Sequence, residues 1–333
     1  MNARERIDAA IRGAPVDRVP WSMWLHNFAR EHSAALLAEE TCRLQEKFEF
    51  DLLKPQSRAF CFGQMWGQEY RVSTRADEWP VATRHAVRDA HDLAHIGPAD
   101  GTTGALREQA EALRLIRRQV GPDVPIVATV FAPMMNLVLM NPGGMEAALQ
   151  WQRSAPAELE RALAHLCDTL VQFTAMCIDE GVDGIFYAVT TANRGQCSIE
   201  EFQRFQRPFD ERILDAAARG STNMLHLCGG AIQADWFANY RAQLVSWATT
   251  PGNPGLSQMH RKSGKAVVGG IPGKPAFGQM SAAQIASHVA ASLNEMNGRA
   301  HILGPDCSVN PGVDEDLMLA VKQQVQSFRP AKP

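Results

Sequence analysis

Short apolar runs separated by helix-length segments are the feature that most constrains the fold of this chain. Most of the runs are continuously apolar rather than alternating, as in parallel strands that are covered on both faces. They comprise residues 19–24, 50–54, 125–132, 184–189, 223–228, 244–249, 266–271 and 301–305. Eight strands alternating with helices in a chain of 333 residues are typical of a (β/α)8 barrel. We therefore predict an α/β fold in which residues 1–333 form a single TIM barrel domain.

The segments between the runs carry helix signals. Residues 3–12 predict a short helix at the start of the chain. A longer helix is indicated by apolar residues spaced three or four apart from Leu159 to Cys177, and it should end at Gly181. The sequence Ser198-Ile-Glu-Glu201 predicts a capping box that opens the next helix.

One segment interrupts the alternation of strands and helices. Residues 57–88 contain glycines, aromatic residues and a partly alternating apolar pattern. This composition indicates an inserted hairpin or lid after the second strand, at one end of the barrel.

Composition excludes several classes of partner and location. A net charge of −3 gives no electrostatic reason to expect nucleic acid or an anionic membrane surface as a partner. No apolar run is long enough to span a membrane, and the first residues are too charged to begin a signal peptide. The seven cysteines are odd in number and widely scattered, which indicates reduced thiols in a cytoplasmic protein rather than a disulfide framework.

Two strand ends carry side chains that bind soft metal ions. The first is His226-Leu-Cys228-Gly229, and the second is Asp306-Cys307. Side chains two apart on a strand point the same way, so His226 and Cys228 can face one point. If the fold brings Cys307 to that point, one imidazole and two sulfurs surround an ion and leave a tetrahedral position free, as in catalytic zinc sites. We therefore predict that His226, Cys228 and Cys307 are both metal ligands and catalytic residues.

Three alternatives to a catalytic zinc site remain open. A single cysteine at the end of a strand is usually a core residue. A zinc ion that only stabilises the fold would normally have four protein ligands. A zinc hydrolase would require a general base near the metal, for which Asp306 is the only close candidate.

The active sites of TIM barrels lie at the carboxyl ends of the strands. Residues that follow the apolar runs are therefore the candidates for binding a substrate or cofactor. They are Trp24, His26, Lys54, Asn136, Tyr187, Asn193 and Asp306.

Motifs at both ends of the chain resemble those of a known superfamily. Ala3-Arg-Glu-Arg-Ile7 with the following Val16-Asp-Arg-Val-Pro20 resembles the opening of the uroporphyrinogen decarboxylase superfamily. His226-Leu-Cys228-Gly229 and Gly304-Pro-Asp-Cys307 resemble the zinc motifs of its corrinoid-dependent branch, the methylcobamide:coenzyme M methyltransferases. The resemblance implies that His226, Cys228 and Cys307 bind Zn²⁺, which holds and activates a methyl-accepting thiol.

The resemblance also implies a cobalamin or other corrinoid cofactor. The Asp-x-His-x-x-Gly signature of cobalamin-binding domains is absent, because Asp92-Leu-Ala-His95-Ile-Gly97 has the wrong spacing. We therefore expect the corrinoid to arrive on a separate protein or as the free cofactor, with a small methyl donor or acceptor as the other partner. The expected function is zinc-dependent, corrinoid-linked methyl transfer, in a direction that the sequence leaves open.

A decarboxylase of the same superfamily is the main alternative function. Its substrate bears eight carboxylates and requires several fixed cations. That branch has an Arg-Gln-Ala-Gly-Arg run after the first strand, whereas this chain reads Trp24-Leu-His-Asn-Phe-Ala-Arg30. One arginine in place of two, together with metal-ligand side chains at the strand ends, favours the methyltransferase.

Overall fold

The computed structural model describes residues 1–58, 60–191 and 193–329. The strands in these residues are β1 (Glu69–Arg71), β2 (Val81–Arg84), β3 (Val127–Phe131), β4 (Gly184–Val189), β5 (Met224–Leu227), β6 (Leu244–Trp247), β7 (Ala266–Ile271) and β8 (His301–Pro305). Strands β3 to β8 form a six-stranded parallel sheet in sequence order. The sheet confirms six of the predicted strands and places their carboxyl ends along one edge.

Helices fill the connections between these strands. They are α1 (Ala3–Ile11), α2 (Ala34–Phe48), α3 (Gly104–Val120), α4 (Pro133–Met140), α5 (Gly144–Ser154), α6 (Pro156–Asp179), α7 (Ile199–Phe205), α8 (Arg207–Ala216), α9 (Leu256–Ser263), α10 (Ala282–Met296) and α11 (Glu315–Ser327). The predicted capping box is present, because Ser198 accepts from the Glu201 amide and Glu201 accepts from the Ser198 amide. None of the helices in the described part of the chain combines the length and apolar character needed to cross a membrane.

The first two predicted strands are not regular strands, which corrects the prediction for residues 19–24 and 50–54. Each makes a single parallel bridge, Trp21 to Leu303 in β8 and Leu53 to Ile126 beside β3. A side chain replaces a backbone acceptor here, since the Trp21 amide donates to Asp51 Oδ2 at 3.0 Å instead of to a carbonyl of a neighbouring strand. Pro20 supplies no amide proton at all. The two segments nevertheless contact each other, because the Asp51 amide donates to the Trp21 carbonyl at 2.9 Å.

The two faces of the strands belong to different apolar clusters. Ile185 and Tyr187 of β4 join the larger cluster, which includes most of the buried apolar residues of the helices. Phe186 belongs to a smaller cluster that also contains Trp24 and Met224. This division follows from the alternation of side chains along a strand. His226 lies two residues after Met224 and therefore shares the face of the smaller cluster.

The segment 57–88 contains the expected hairpin. Strands β1 and β2 pair antiparallel, with an irregular register between Glu69 and Tyr70. The connection between the strands packs on the segment after Trp24, because the Phe28 amide donates to the Ala76 carbonyl at 3.1 Å. Asp77 also lies against Gly312, which follows β8. The hairpin thus lies beside the segments that follow two of the strand ends.

Candidate metal centre

The ends of β5 and β8 bring together one imidazole and two thiols. His226 is in β5, Cys228 directly follows it, and Cys307 follows β8. Their ligand atoms all lie within 4.8 Å of one another. Ligands around a tetrahedral zinc ion are about 3.5–3.8 Å apart, given Zn–S of about 2.3 Å and Zn–N of about 2.0 Å. The three side chains would therefore have to approach one another by only about 1 Å to hold such an ion.

The His226 ring is oriented for metal binding. His226 and Ser246 lie opposite each other on β5 and β6, and Nδ1 is 3.2 Å from Ser246 Oγ. The Phe186 ring stacks on the imidazole with centroids 4.9 Å apart. Nε2 is buried and has no hydrogen-bond partner among the described residues. A buried ring nitrogen without a partner is costly, and a metal ion at Nε2 would remove that cost.

The two cysteines influence each other strongly. The neighbouring Cys228 and His226 side chains favour the thiolate form of Cys307 and lower the pKa of Cys307. The pKa of Cys228 is raised, mainly by its interaction with the neighbouring Cys307 thiolate and partly by burial. The pair therefore holds a proton that a bound metal ion would displace, since thiols bind metals in the deprotonated form.

Neighbouring loops hold the backbone after Cys228. Asn193 Nδ2 donates to the Cys228 carbonyl at 3.1 Å, and Asn253 Nδ2 donates to the Gly229 carbonyl at 2.8 Å. The Cys228 amide itself donates to the Val189 carbonyl at 2.8 Å. Cys228 is thus positioned by the loops that follow β4 and β6. Asn193, which the sequence suggests as a substrate ligand, binds the backbone of Cys228 instead.

Asp306 lies beside Cys307 and contacts the end of β6. Thr249 Oγ1 is 3.0 Å from Asp306 Oδ1 and 3.2 Å from Oδ2. Burial raises the pKa of Asp306 to about 6, although the hydrogen bonds from Thr249 oppose this shift. Asp306 therefore lies next to the candidate metal centre.

Trp24 and Lys54 lie near Phe186, the ring that stacks on His226. Lys54 Nζ is 4.6 Å from the centroid of Phe186 and 6.0 Å from that of Trp24. Trp24 meets Phe186 edge-on, with centroids 5.6 Å apart. Both predicted site residues thus contact the aromatic ring that covers His226.

Tyr187 does not face the metal centre. Its side chain is fully buried, and its hydroxyl donates to Asp210 Oδ1 in α8. Tyr240 and Gln206 donate to Asp210 Oδ2 at 2.9 and 3.2 Å. The alternation along β4 thus directs Phe186, and not Tyr187, toward His226. In a strand that is apolar on both faces, the sequence does not reveal which set of side chains faces the site.

The other two candidates lie in separate environments. His26 Nδ1 is 2.9 Å from both carboxylate oxygens of Glu31, and its ring stacks on Phe28 with centroids 4.6 Å apart. Asn136 is buried in α4 and donates to the carbonyls of Phe131 and Ala132. No contact of His26 or Asn136 with the three candidate ligands is found in the described residues.

Two residues of the centre, Ser246 and Phe186, are absent from the sequence-based prediction. Ser246 is a fully buried polar residue in the otherwise apolar strand Leu244–Trp247. That isolated polar residue was the available signal for a partner of His226. Phe186 offered no signal, because an aromatic residue in an apolar strand is the ordinary core pattern.

Sequence comparison matches residues 2–328 to the family Uroporphyrinogen decarboxylase (URO-D). A methylcobamide:CoM methyltransferase, MtaA of Methanosarcina barkeri, is 23% identical over an alignment of 249 residues, and the match covers 68% of this chain and 69% of the relative. A uroporphyrinogen decarboxylase of Xanthomonas campestris is 26% identical over an alignment of 245 residues, and the match covers 66% of this chain and 67% of the relative.

Structural comparison finds the same architecture in a solved protein. A methyltransferase from Methanosarcina mazei superposes with a TM-score of 0.80 at 18% sequence identity. The match covers 98% of this chain and 99% of that protein. The likeness therefore extends over almost the whole fold.

Proposed function

The chain belongs to the uroporphyrinogen decarboxylase (URO-D) family, and from this we propose that it is a zinc-dependent methyltransferase. Its two substrates are a corrinoid and a small molecule that gives or accepts the methyl group. The observation that carries the proposal is the convergence of His226, Cys228 and Cys307 within 4.8 Å. Relatives described as methylcobamide:CoM methyltransferases support it.

The donor set fits zinc. One imidazole and two thiolates leave a tetrahedral position open, and the buried Nε2 of His226 has no partner among the described residues. When bound, the zinc ion supplies positive charge that lowers the pKa of a thiol or polarises the oxygen of a methyl donor. Ser246 orients the imidazole through Nδ1, and Asn193 and Asn253 hold the backbone that carries Cys228.

We propose that the strands close into an eight-membered barrel. The bridges of Trp21 to Leu303 and of Leu53 to Ile126 extend the two edges of the regular sheet. The Asp51 amide joins the two extensions by donating to the Trp21 carbonyl at 2.9 Å. In a barrel, the carboxyl ends of the strands form the mouth where the active site lies, and the candidate metal ligands occupy that end.

The hairpin of β1 and β2 would act as a lid over this mouth. Trp79 in the hairpin meets the rings of His26 and Phe28, with centroids 5.6 and 4.8 Å apart. Asp77 lies against Gly312, which follows Cys307 by five residues. A corrinoid held between the hairpin and the metal centre would place its methyl group near the other substrate. Such transfer requires reacting atoms about 3–3.5 Å apart.

The decarboxylase remains the second candidate, because a uroporphyrinogen decarboxylase is among the relatives. Recognition of many substrate carboxylates requires free cations. Arg30, the arginine of the segment after Trp24, is engaged with α2, since its guanidinium lies 2.5 Å from a Glu39 carboxylate oxygen. Two thiols beside an imidazole also have no role in a reaction that needs no metal. The geometry therefore favours methyl transfer.

The direction of transfer can be tested with the free cofactor. Zinc-loaded protein is mixed with methylcob(III)alamin and a panel of small thiols, and separately with cob(I)alamin and methylated donors. The cobalt absorption spectrum is followed in both mixtures. We expect the cobalt to lose its methyl group in the first mixture or to gain one in the second.

Two variants make the test specific. Cys307→Ser should abolish the spectral change, whereas Cys197→Ser should retain it. Cys197 is a partly exposed cysteine outside the candidate centre, with Sγ 3.6 Å from the Thr191 carbonyl. Absence of any spectral change with the wild-type protein in both mixtures would contradict the proposal and favour the decarboxylase or a zinc hydrolase.

A further inference from the structure

Lys54 is a buried cation without an anionic partner. Its side chain is 7% exposed, and Nζ donates to Gln56 Oε1 at 2.5 Å. No carboxylate of the described residues forms an ion pair with this ammonium group. Burying an unpaired charge is strongly unfavourable unless something compensates it. The lysine therefore indicates a negative charge that the protein acquires in its working state.

The position of Lys54 indicates where that charge lies. Its Nζ is 4.6 Å from the centroid of Phe186, and the imidazole of His226 stacks on the same ring with centroids 4.9 Å apart. A single aromatic ring thus connects the ammonium group to a candidate metal ligand.

Three charged or titratable groups act on the ammonium. Burial lowers the pKa of Lys54 to about 7, while negative charge on Cys307 and Glu31 raises it and Lys274 lowers it. Glu31 does not pair with Lys54, because its carboxylate is bonded to His26 Nδ1 at 2.9 Å and to the Asn27 amide at 3.0 Å. An additional negative charge that stabilises the Lys54 ammonium would therefore lie near Cys307.

Charge counting identifies the missing anion. A zinc ion with two cysteine thiolates and a neutral imidazole has no net charge. A thiol substrate that binds as the thiolate adds one negative charge in a buried place, whereas a methoxy compound adds none. We propose that Lys54 is a positioning residue whose buried ammonium group balances the charge of a substrate thiolate bound at His226, Cys228 and Cys307. This inference rests on the proposed function and favours a thiol as the methyl acceptor.

The first test separates this role from a structural one. In the zinc-loaded protein without substrate the centre is neutral and the ammonium is uncompensated, so Lys54→Met should raise the melting temperature of the zinc-loaded, substrate-free protein. Lys265→Met is the matched control. Lys265 Nζ donates to the Ala238 carbonyl at 2.8 Å, and loss of this bond should leave the melting temperature unchanged or lower. A lower melting temperature or a loss of folding in Lys54→Met would show a structural lysine and overturn the inference.

The second test measures thiol binding without turnover. Cobalt(II) replaces zinc, and the thiolate-to-cobalt absorption band is titrated with 2-mercaptoethanol, a thiol without any other charge. Lys54→Met should bind this thiol about tenfold more weakly, which equals about 1.4 kcal/mol. Lys54→Arg should recover most of the affinity because it restores the charge. Lys265→Met should bind the thiol as the wild type does.

A charged thiol distinguishes the alternative role of Lys54. If Lys54→Met weakens only the binding of 3-mercaptopropionate and leaves 2-mercaptoethanol unaffected, Lys54 binds a carboxylate on the substrate, and the inference is wrong. If wild-type protein binds cobalt and thiol but Lys54→Met binds the thiol equally well, the inference fails while the proposed function stands. Failure of the wild-type protein to bind cobalt(II) or zinc would overturn both.

Discussion

Gly229→Ala should weaken zinc binding much more than the same change at the next residue. Gly229 has a φ of +136°, a conformation that residues with a side chain rarely adopt. A Cβ at this position would lie 2.1 Å from Asn193 Oδ1 and 2.4 Å from Nδ2. The alanine therefore requires either a different backbone after Cys228 or a displacement of Asn193.

The expected loss can be worked out from these two effects. An unfavourable backbone conformation costs about 1–3 kcal/mol. Displacing Asn193 breaks its bond to the Cys228 carbonyl, which contributes about 1 kcal/mol. Metal-free protein can relax its loop, so most of the strain should appear only when zinc fixes Cys228. A loss of about 3 kcal/mol corresponds to zinc affinity lower by about a hundredfold.

Gly230 provides a matched control. A Cβ at Gly230 has no neighbour within 4 Å, and its φ is not in the left-handed region. Zinc affinity is measured by competition with a chromophoric chelator, and the unfolding of metal-free protein is measured in urea. Gly230→Ala should match the wild type in both. Equal zinc affinity for Gly229→Ala and Gly230→Ala would refute the idea that this loop conformation positions Cys228.

Three further predictions concern the centre and its surroundings. Ser246→Ala removes the group that orients His226 and should lower zinc affinity about tenfold, measured by the same competition. Cys307→Ser should remove most of the bound zinc while circular dichroism shows an unchanged fold, and a loss of fold instead would indicate a structural metal. The pKa of Asp210 is raised from 3.8 to about 7 by burial. Protonation of Asp210 therefore stabilises the folded state, and this stabilisation is complete below about pH 4 and is lost as the pH rises through about 7. Wild-type stability against urea should therefore fall, relative to that of Asp210→Asn, by about 1 kcal/mol per pH unit between pH 5 and 7; parallel curves would contradict the assignment.

The regular elements were predictable from local patterns. The continuously apolar runs predict β3 to β8, and the capping box at Ser198 predicts the start of α7. The residue types of His226, Cys228 and Cys307 at two strand ends were enough to expect their convergence. Parallel strands meet at one edge, so residues far apart in the sequence come together there.

Features that depend on tertiary contacts were not predictable. The segment near Trp21 is not a regular strand, and there the Asp51 side chain accepts from the Trp21 amide, which a ladder would use. The assignment of Tyr187 failed because an apolar strand does not reveal which face points toward the site. The role of Asn193 depends on its hydrogen bond to the carbonyl of Cys228, which lies 35 residues later in the sequence. Spacing within the sequence carries no information about such a contact.

The central claim is that His226, Cys228 and Cys307 hold a zinc ion with an open position. The most direct measurement is the metal content of protein purified without chelators, combined with X-ray absorption at the zinc edge. We predict about one zinc per chain, with two sulfurs at about 2.3 Å, one nitrogen at about 2.0 Å and one exchangeable ligand. A protein that contains no metal, or a first shell made only of oxygen, would contradict the claim.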